Sequence, residues 1–270
     1  MGTLYAVAVP LGNLSDITLR AIEILKNVDC IACEDTRNTR VLLDKYDIST
    51  RLIDCHKFNE KERSEKLSEL MGETGSVALV SDAGTPGICD PGCVVEKELM
   101  QKGHKIVPIP GASALTAFLS AVPRDDEFFA FTGFMPRTNI KRQELFEKFR
   151  NINCIFYESP NRLRETLKDI KKYFGADKKI AIGRELTKIF EEIKIGTVEE
   201  IINYYETNTL KGEIVGMIFT EKSDEIDETE IINDIKKLKK EGFSNKDISK
   251  IIPLMKNAPK NKVYELALKQ

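Results

Sequence analysis

Three short stretches of this chain are made of residues that leave the main chain open to a ligand. They are Pro10-Leu11-Gly12-Asn13-Leu14-Ser15-Asp16, Ser81-Asp82-Ala83-Gly84-Thr85-Pro86-Gly87-Ile88-Cys89-Asp90-Pro91-Gly92 and Pro110-Gly111-Ala112-Ser113. The middle stretch packs three glycines, two prolines and two aspartates into twelve residues. Glycine lets a ligand approach the backbone, and proline stiffens what remains. A surface turn needs about four residues, so this run is too long for a turn and reads as a binding loop. Each stretch follows an apolar run and precedes a helical pattern, and the three together predict one composite pocket.

Three polar clusters add side-chain chemistry. Glu34-Asp35-Thr36-Arg37-Asn38-Thr39-Arg40 offers two carboxylates and two arginines for a ribose or a phosphate. The same residues also read as a helix start whose acids complement the dipole. Gly183-Arg184-Glu185-Leu186-Thr187-Lys188 ends another apolar run, and its other reading is a surface ion-pair turn. Tyr157-Glu158-Ser159-Pro160-Asn161-Arg162 reads either as a helix cap or as a site in which Tyr157 stacks on a base.

Several familiar sites are excluded. The chain has no G-x-x-x-x-G-K-[ST], no G-x-G-x-x-G after its first strand, no H-E-x-x-H and no G-x-S-x-G elbow. What remains is a pocket without lysine or metal, suited to a ligand lacking a triphosphate. S-adenosylmethionine fits, because backbone groups and a carboxylate can hold an adenosine, an amino acid and a sulfonium.

The elements that must position these residues alternate strand and helix. Strands are expected near 4–9, 30–33, 51–54, 77–80 and 105–109, with helices between them, which implies a mainly parallel, helix-covered sheet. Pro123-Arg124-Asp125-Asp126 breaks that rhythm. A second α/β set follows, with strands at 128–131, 153–157, 179–183, 189–195 and 213–220 and helices at 138–150 and 160–174. Alternation through Glu191-Glu192-Ile193-Lys194-Ile195 favours a half-exposed antiparallel strand. Helices are expected near 229–241, 244–252 and 261–268, punctuated by Gly242, Pro253 and Pro259. The organisation expected is thus an α/β domain over residues 1–121, a second over 122–222 and a helical module over 229–270.

Charge separates the last part from the rest. The net charge is −2, yet residues 231–270 hold ten lysines against four acids, or +6, and Glu221–Glu230 hold six acids and one lysine, or −5. A basic module behind an acidic hinge suggests a polyanionic partner, or else a solvated helical face. No apolar run approaches the ~20 residues of a membrane span, and Met1-Gly2-Thr3 enters a strand with no leader pattern, so a cytoplasmic protein is expected. Six cysteines fit a reducing compartment. Cys30 and Cys33 lie three apart on a strand and so point to opposite faces. With only two histidines, His56 and His104, no metal site is expected.

Eight segments in order carry a resemblance over nearly the full chain: PLGNLSDITLRA, ACEDTRNTR, SDAGTPGICDPG, PGASALTAF, GFMPR, FYESPNRLRETL, GRELTKIFEE and KGEIVGMI. The chain resembles the ribosomal small-subunit methyltransferase I family, within the tetrapyrrole-methylase (class III) fold. The resemblance implies two α/β domains of that type with a cofactor cleft between them, and a small helical module at the C-terminus. It implies S-adenosylmethionine-dependent 2′-O-methylation of a cytidine in the decoding region of 16S rRNA, on free RNA or the 30S subunit, by a homodimer. By motif, the cofactor loops carry Pro10, Gly12 and Asn13, then Asp82, Gly84, Thr85 and Ile88, then Gly111, Ser113 and Ala114, with Tyr157 beside them. Glu185 and Asp35 are the candidate base or ribose acceptor. Arg184, Arg37 and Lys188 are candidates for phosphate and oxyanion contacts. Asn161 stands where many members carry a histidine, so no histidine base is assigned. Val9, Cys89 and Ala112 replace a common threonine, serine and proline. Two other classes stay open: a tetrapyrrole methylase, which needs no lysine-rich appendage, and a non-catalytic RNA-binding module, in which three glycine loops would be superfluous.

Overall fold

The computed structural model of the chain describes residues 1–125, 127–208, 210–220, 228–255 and 258–270. Asp126 of the expected break and residues 221–227 of the expected acidic hinge lie outside the described residues. Residues Met1–Thr220 form one compact unit and Glu221–Gln270 another.

The first unit holds two five-stranded sheets. One contains β1 (Thr3–Val7), β2 (Cys30–Cys33), β3 (Leu52–Asp54), β4 (Ser76–Val80) and β5 (Lys105–Ile109), in the order β3-β2-β4-β1-β5 with every pair parallel. Its strands are short, apolar runs because both faces are covered. Leu25, Ile31, Leu43 and Ala78 pack on one face, and Leu4, Ala32, Leu67 and Leu99 on the other. The covering helices are α1 (Leu19–Asn27), α2 (Thr36–Lys45), α3 (Glu60–Met71) and α4 (Cys93–Gln101). Thr18 caps α1 through its side chain, and Asp35 caps α2. Cys30 and Cys33, although pointing to opposite faces, are both buried, as parallel burial requires.

A fifth helix, α5 (Ala114–Ala121), ends the expected first domain. Its Phe118 packs against Ile155, Ala181, Val215 and Met217 of the second sheet. That sheet runs β6 (Phe129–Phe134), β7 (Asn153–Glu158), β10 (Ile214–Ile218), β8 (Lys179–Arg184), β9 (Glu192–Thr197) in spatial order. β6 and β7 are parallel, and the other pairs are antiparallel. Its far face is covered by α6 (Asn139–Lys148), α7 (Pro160–Phe174) and α8 (Val198–Thr207).

Two expectations need correction here. The strand expected from Ile189 starts at Glu192, because residues 185–191 form a turn with Glu185 and Thr187 at φ of 51° and 65°. And α8 lies between the expected strands at 189–195 and 213–220, where no helix is expected. Its start is a capping box in which the Thr197 hydroxyl accepts from Glu200 N–H and the Glu200 carboxylate accepts from Thr197 N–H. The T-x-x-E spacing marks this start in the sequence itself.

The second unit is three helices, α9 (Glu228–Lys240), α10 (Asn245–Met255) and α11 (Lys260–Lys269). Ile231, Ile235, Ile248, Ile252, Val263 and Leu266 form its core. Pro253 does not end α10; the helix runs through it to Met255. Proline there forfeits one backbone hydrogen bond, which burial of Ile248 and Ile252 offsets.

Candidate active site

β4, β1 and β5 are neighbours, so the three glycine loops leave the same edge of the sheet side by side. The carboxyl edge is where an open α/β sheet receives its ligand. The loops are stitched together. Val9 N–H donates to Gly84 O at 2.8 Å and Gly84 N–H to Val9 O at 3.0 Å. The Thr85 hydroxyl donates to Ala112 O at 3.1 Å. Gly84 makes both bonds at φ +77°, a conformation that side chains resist, and a Cβ there would lie 3.2 Å from Leu11.

A cavity of about 310 Å³ opens between this edge and the second sheet, at the lower end of the ~300–1,000 Å³ typical of small-molecule sites. Of the residues expected at the cofactor, Asp82, Gly84, Thr85, Ile88, Ser113, Ala114 and Tyr157 line it. Pro10, Gly12, Asn13 and Gly111 do not, although Leu11 does. They shape the loops from behind. Pro10 borders a smaller hollow with Asn38 and Asp82. A Cβ at Gly12 would lie 2.2 Å from the Lys188 stem, and one at Gly111 3.0 Å from Ala8. Asn13 N–H donates to the Thr187 hydroxyl at 3.3 Å.

None of the five residues expected to act chemically lines the cavity. Asp35 and Arg37 hold each other, with Arg37 Nη2 2.6 Å from Asp35 Oδ2. Those hydrogen bonds lower the Asp35 carboxyl to about 2, and Arg37 is 88% exposed. Arg184 is committed across the strands to Glu192 at 3.7 Å. Lys188 Nζ donates to Glu185 Oε1 at 2.9 Å and to Glu213 Oε2 at 3.0 Å. Burial pushes the Glu185 carboxyl up, but Lys188 and the Glu213 N–H outweigh it and bring it below the ordinary value. A base effective near neutrality needs a raised proton affinity, so the surroundings of Asp35 and Glu185 suit positioning rather than proton removal. Glu185 Oε1 accepts from Glu213 N–H at 3.0 Å and so anchors the loop that brings Glu213 to the cavity.

The cavity wall carries three acids outside the five chemical candidates, Asp90, Glu158 and Glu213, beside Asp82. Asp82 accepts from Asp35 N–H and from the Asn38 amide, each at 3.1 Å. Glu158 is buried and accepts from the Thr166 hydroxyl at 2.6 Å and Ser159 N–H at 2.7 Å, and it pairs with Arg162 at 2.5 Å. Burial, with Asp82 and Glu213 nearby, pushes the Asp90 carboxyl up. Burial and the charges of Asp82 and Asp90 do the same to Glu34. Burial raises the Tyr157 hydroxyl to about 12. The wall is thus apolar at residues such as Leu11, Ile88, Ala114 and Val215 and carries four acids, Asp82, Asp90, Glu158 and Glu213. That combination fits a ligand with a flat apolar group and positive centres. Among the described residues, no cluster of His, Cys, Asp and Glu could hold a metal ion, and no helix is long and apolar enough to cross a membrane.

Comparison with known proteins defines the class first. Residues 3–202 match the family described as Tetrapyrrole (Corrin/Porphyrin) Methylases. A solved diphthine synthase shares the fold at a TM-score of 0.64 and 15% identity, over 80% of this chain and 90% of that one. The cobalt precorrin-4 methyltransferase CbiF does so at 0.62 and 17%, over 80% and 94%. Among full-length relatives, the ribosomal RNA small subunit methyltransferase I of Bacillus subtilis is 38% identical, and that of Halalkalibacterium halodurans 37% identical, each over 98% of this chain and 94% of its own. That of Mesorhizobium japonicum is 46% identical over 78% of this chain and 73% of its own. The chain belongs to the ribosomal RNA small subunit methyltransferase I family, within the tetrapyrrole methylases.

Proposed function

We propose that this protein methylates small-subunit ribosomal RNA, transferring a methyl group from S-adenosylmethionine to the ribose 2′-hydroxyl of a cytidine in the decoding region of 16S rRNA. The observation that carries the reading is the cavity: three stitched loops give it bare backbone, and four carboxylates give it negative potential for a cationic donor. The names of the full-length relatives support rRNA as acceptor. Asp82, Gly84, Thr85, Ile88, Ser113, Ala114 and Tyr157 would hold the donor, and Pro10, Gly12, Asn13 and Gly111 would keep the loops in shape.

The bound donor supplies a methyl already activated by its positive sulfur. The chain's own residues then orient the acceptor and remove its proton. Alignment by itself is worth several kcal/mol of barrier. Glu185 and Lys188 fix Glu213 at the wall. Arg37, exposed beside the carboxyl edge, and the lysines of the helical unit are the contacts we assign to RNA phosphate. Arg184 braces β8 on β9 through Glu192. Ile189 and Phe190, 95% and 71% exposed, give an apolar surface for a second copy, and a cytoplasmic homodimer is the working form proposed.

The test is to incubate the protein with methyl-labelled S-adenosylmethionine and either 30S subunits or free 16S rRNA, then map the label. Label on a single cytidine ribose is expected. Label on a base, or none on either RNA form, would overturn the reading.

A further inference from the structure

The loop after β3 raises an aromatic ring into solvent at the edge where the glycine loops lie. The strands of this sheet are all parallel, so residues 55–59 leave it on the same side as the loops after β4 and β1. Phe58, at the tip of this loop, is 93% exposed. A single exposed apolar side chain is ordinary on a protein surface, but two observations set this one apart.

The first is that the tip is held stiffly. Asn59 N–H donates to His56 O at 2.9 Å, and His56 N–H donates to Asn59 Oδ1 at 2.8 Å. Phe58 N–H donates to His56 Nδ1 at 3.3 Å. The Asn59 amide donates to Asp54 Oδ2 at 2.9 Å, and Arg63 Nη2 donates to both Asp54 oxygens, at 2.9 and 2.8 Å. The His56 ring stands edge-on to Phe58 at 6.2 Å, so it braces the ring and leaves it open. The second is that the tip is tied to the methyl-donor loops. Two residues on, the buried Glu60 accepts through Oε1 from Gly92 N–H at 2.8 Å, at the end of the glycine-rich loop after β4.

The charges around the ring suit a polyanion. Lys57 and Lys61 flank it in sequence and are exposed, and Arg37 opens α2 from the neighbouring strand β2. The acids close in sequence are engaged: Asp54 and Glu62 by Arg63, and Glu60 by Gly92. Lysines are depleted where one protein packs on another. An exposed ring among cations is instead how proteins grip unpaired nucleotides, since every base has a π-face and every phosphate a charge.

Resting on the methyl-transfer reading above, we infer that Phe58 stacks on an unpaired base of the ribosomal RNA near the target nucleotide, with Lys57 on an adjoining phosphate. The braced tip holds the ring in place before RNA arrives, so little conformational freedom is lost on binding. Glu60, by joining the tip to the loop after β4, fixes the stacked base relative to the methyl donor.

The experiment uses the full chain and whichever RNA form, 16S rRNA or 30S subunits, the wild type labels. The chain has no tryptophan, so Phe58→Trp places a single fluorescent reporter at the tip. Its emission should be quenched when RNA is added, and its RNA affinity should stay within about threefold of wild type. Phe58→Ala and Phe58→Leu should each bind RNA about ten- to hundredfold more weakly, the range of one base stacked on an aromatic ring, with the salt slope unchanged. Lys57→Ala should make that slope shallower by about 0.7, as expected for one phosphate contact on a single strand. All four variants should bind S-adenosylmethionine within about threefold of wild type by calorimetry. Wild-type RNA affinity in Phe58→Ala or Phe58→Leu, or an unquenched tryptophan, would overturn the inference. So would a Phe58→Ala protein that keeps its RNA affinity but changes its oligomeric state in sedimentation, which would assign the ring to a second copy. A wild-type protein that labels neither RNA form would instead overturn the methyl-transfer reading itself.

Discussion

The two sheets of the first unit contribute to the cavity in different ways. The all-parallel sheet offers main chain: small loops after β1, β4 and β5, tied by backbone bonds at Val9–Gly84 and by Thr85 to Ala112. The mixed sheet offers side chains: Tyr157 and Glu158 from the end of β7, and Glu213 from the approach to β10, with Glu158 and Glu213 held by partners in their own half. The cores differ similarly. The parallel sheet is packed by aliphatics and cysteines, whereas the mixed sheet is packed by Phe146, Phe156 and Tyr205 and carries a buried arginine. A surface made of backbone is damaged by adding atoms, and a surface made of side chains is damaged by removing them.

That contrast can be broken most directly at Ser113, which lines the cavity together with Tyr157. Ser113→Phe should cost donor affinity at least about 100-fold in calorimetry, equal to roughly 3 kcal/mol, with circular dichroism unchanged. Thr85→Ala, which deletes rather than adds, should cost less than about tenfold. Equal effects would erase the distinction.

The core contrast predicts a comparable loss in stability rather than affinity. Arg142 on α6 is fully buried and donates from Nε to Asp169 on α7 at 2.6 Å, with Glu165 as a second partner. Asp169→Ala should destabilise the first unit by about 3 kcal/mol in denaturant titration, because it strips a partner from a buried charge. A loss under about 0.5 kcal/mol would show that Glu165 alone suffices.

Smaller effects are expected from Glu213→Gln and from the helical unit. Glu213→Gln should weaken donor binding about five- to thirtyfold while leaving the melting temperature near wild type. Residues 1–220 have their own cores, so a chain ending at Thr220 should fold and bind donor normally. It should bind rRNA more weakly, with a shallower dependence on salt, because ten lysines at 231–270 release counterions from phosphate. An unchanged salt slope would make those lysines a solvated face.

The smallest effect is a pH dependence. Burial raises Cys30 and Cys154 to about 11 and Cys55 to about 12, from an ordinary 9.0. The folded state therefore favours the neutral thiols. Their contribution is fully present below pH 9 and is lost as pH rises towards these values. The melting temperature should fall by several degrees between about pH 9 and 11, and Cys55→Ala should flatten that fall. A slope unchanged in the variant would place the alkaline sensitivity elsewhere.

Much of this molecule was written locally. The strand–loop–helix units, the positions of the three loops and the helical character of the last forty residues follow from apolar periodicity, glycine, proline and cap residues, all short-range properties. The eight ordered segments identified the family. Local pattern also misled where two rules competed: Pro253 looked like a stop, yet burial of Ile252 carried α10 past it.

What only the tertiary structure decided is which polar residue does what. Glu185, Asp35 and Arg184 look as reactive in sequence as Asp90 or Glu213. Their partners come from strands and loops brought near by folding: Lys188 and Glu213 around Glu185, Glu192 beside Arg184, and the Asp35 turn beside Asp82. The proton affinity of a carboxyl depends on its burial and on charges within a few ångströms. Those charges are set by strand order and register, here β4 beside β1 and β10 between β7 and β8. A chain read one residue at a time specifies the acids; only the packing of two sheets brings Asp82, Asp90, Glu158 and Glu213 to the wall of one cavity.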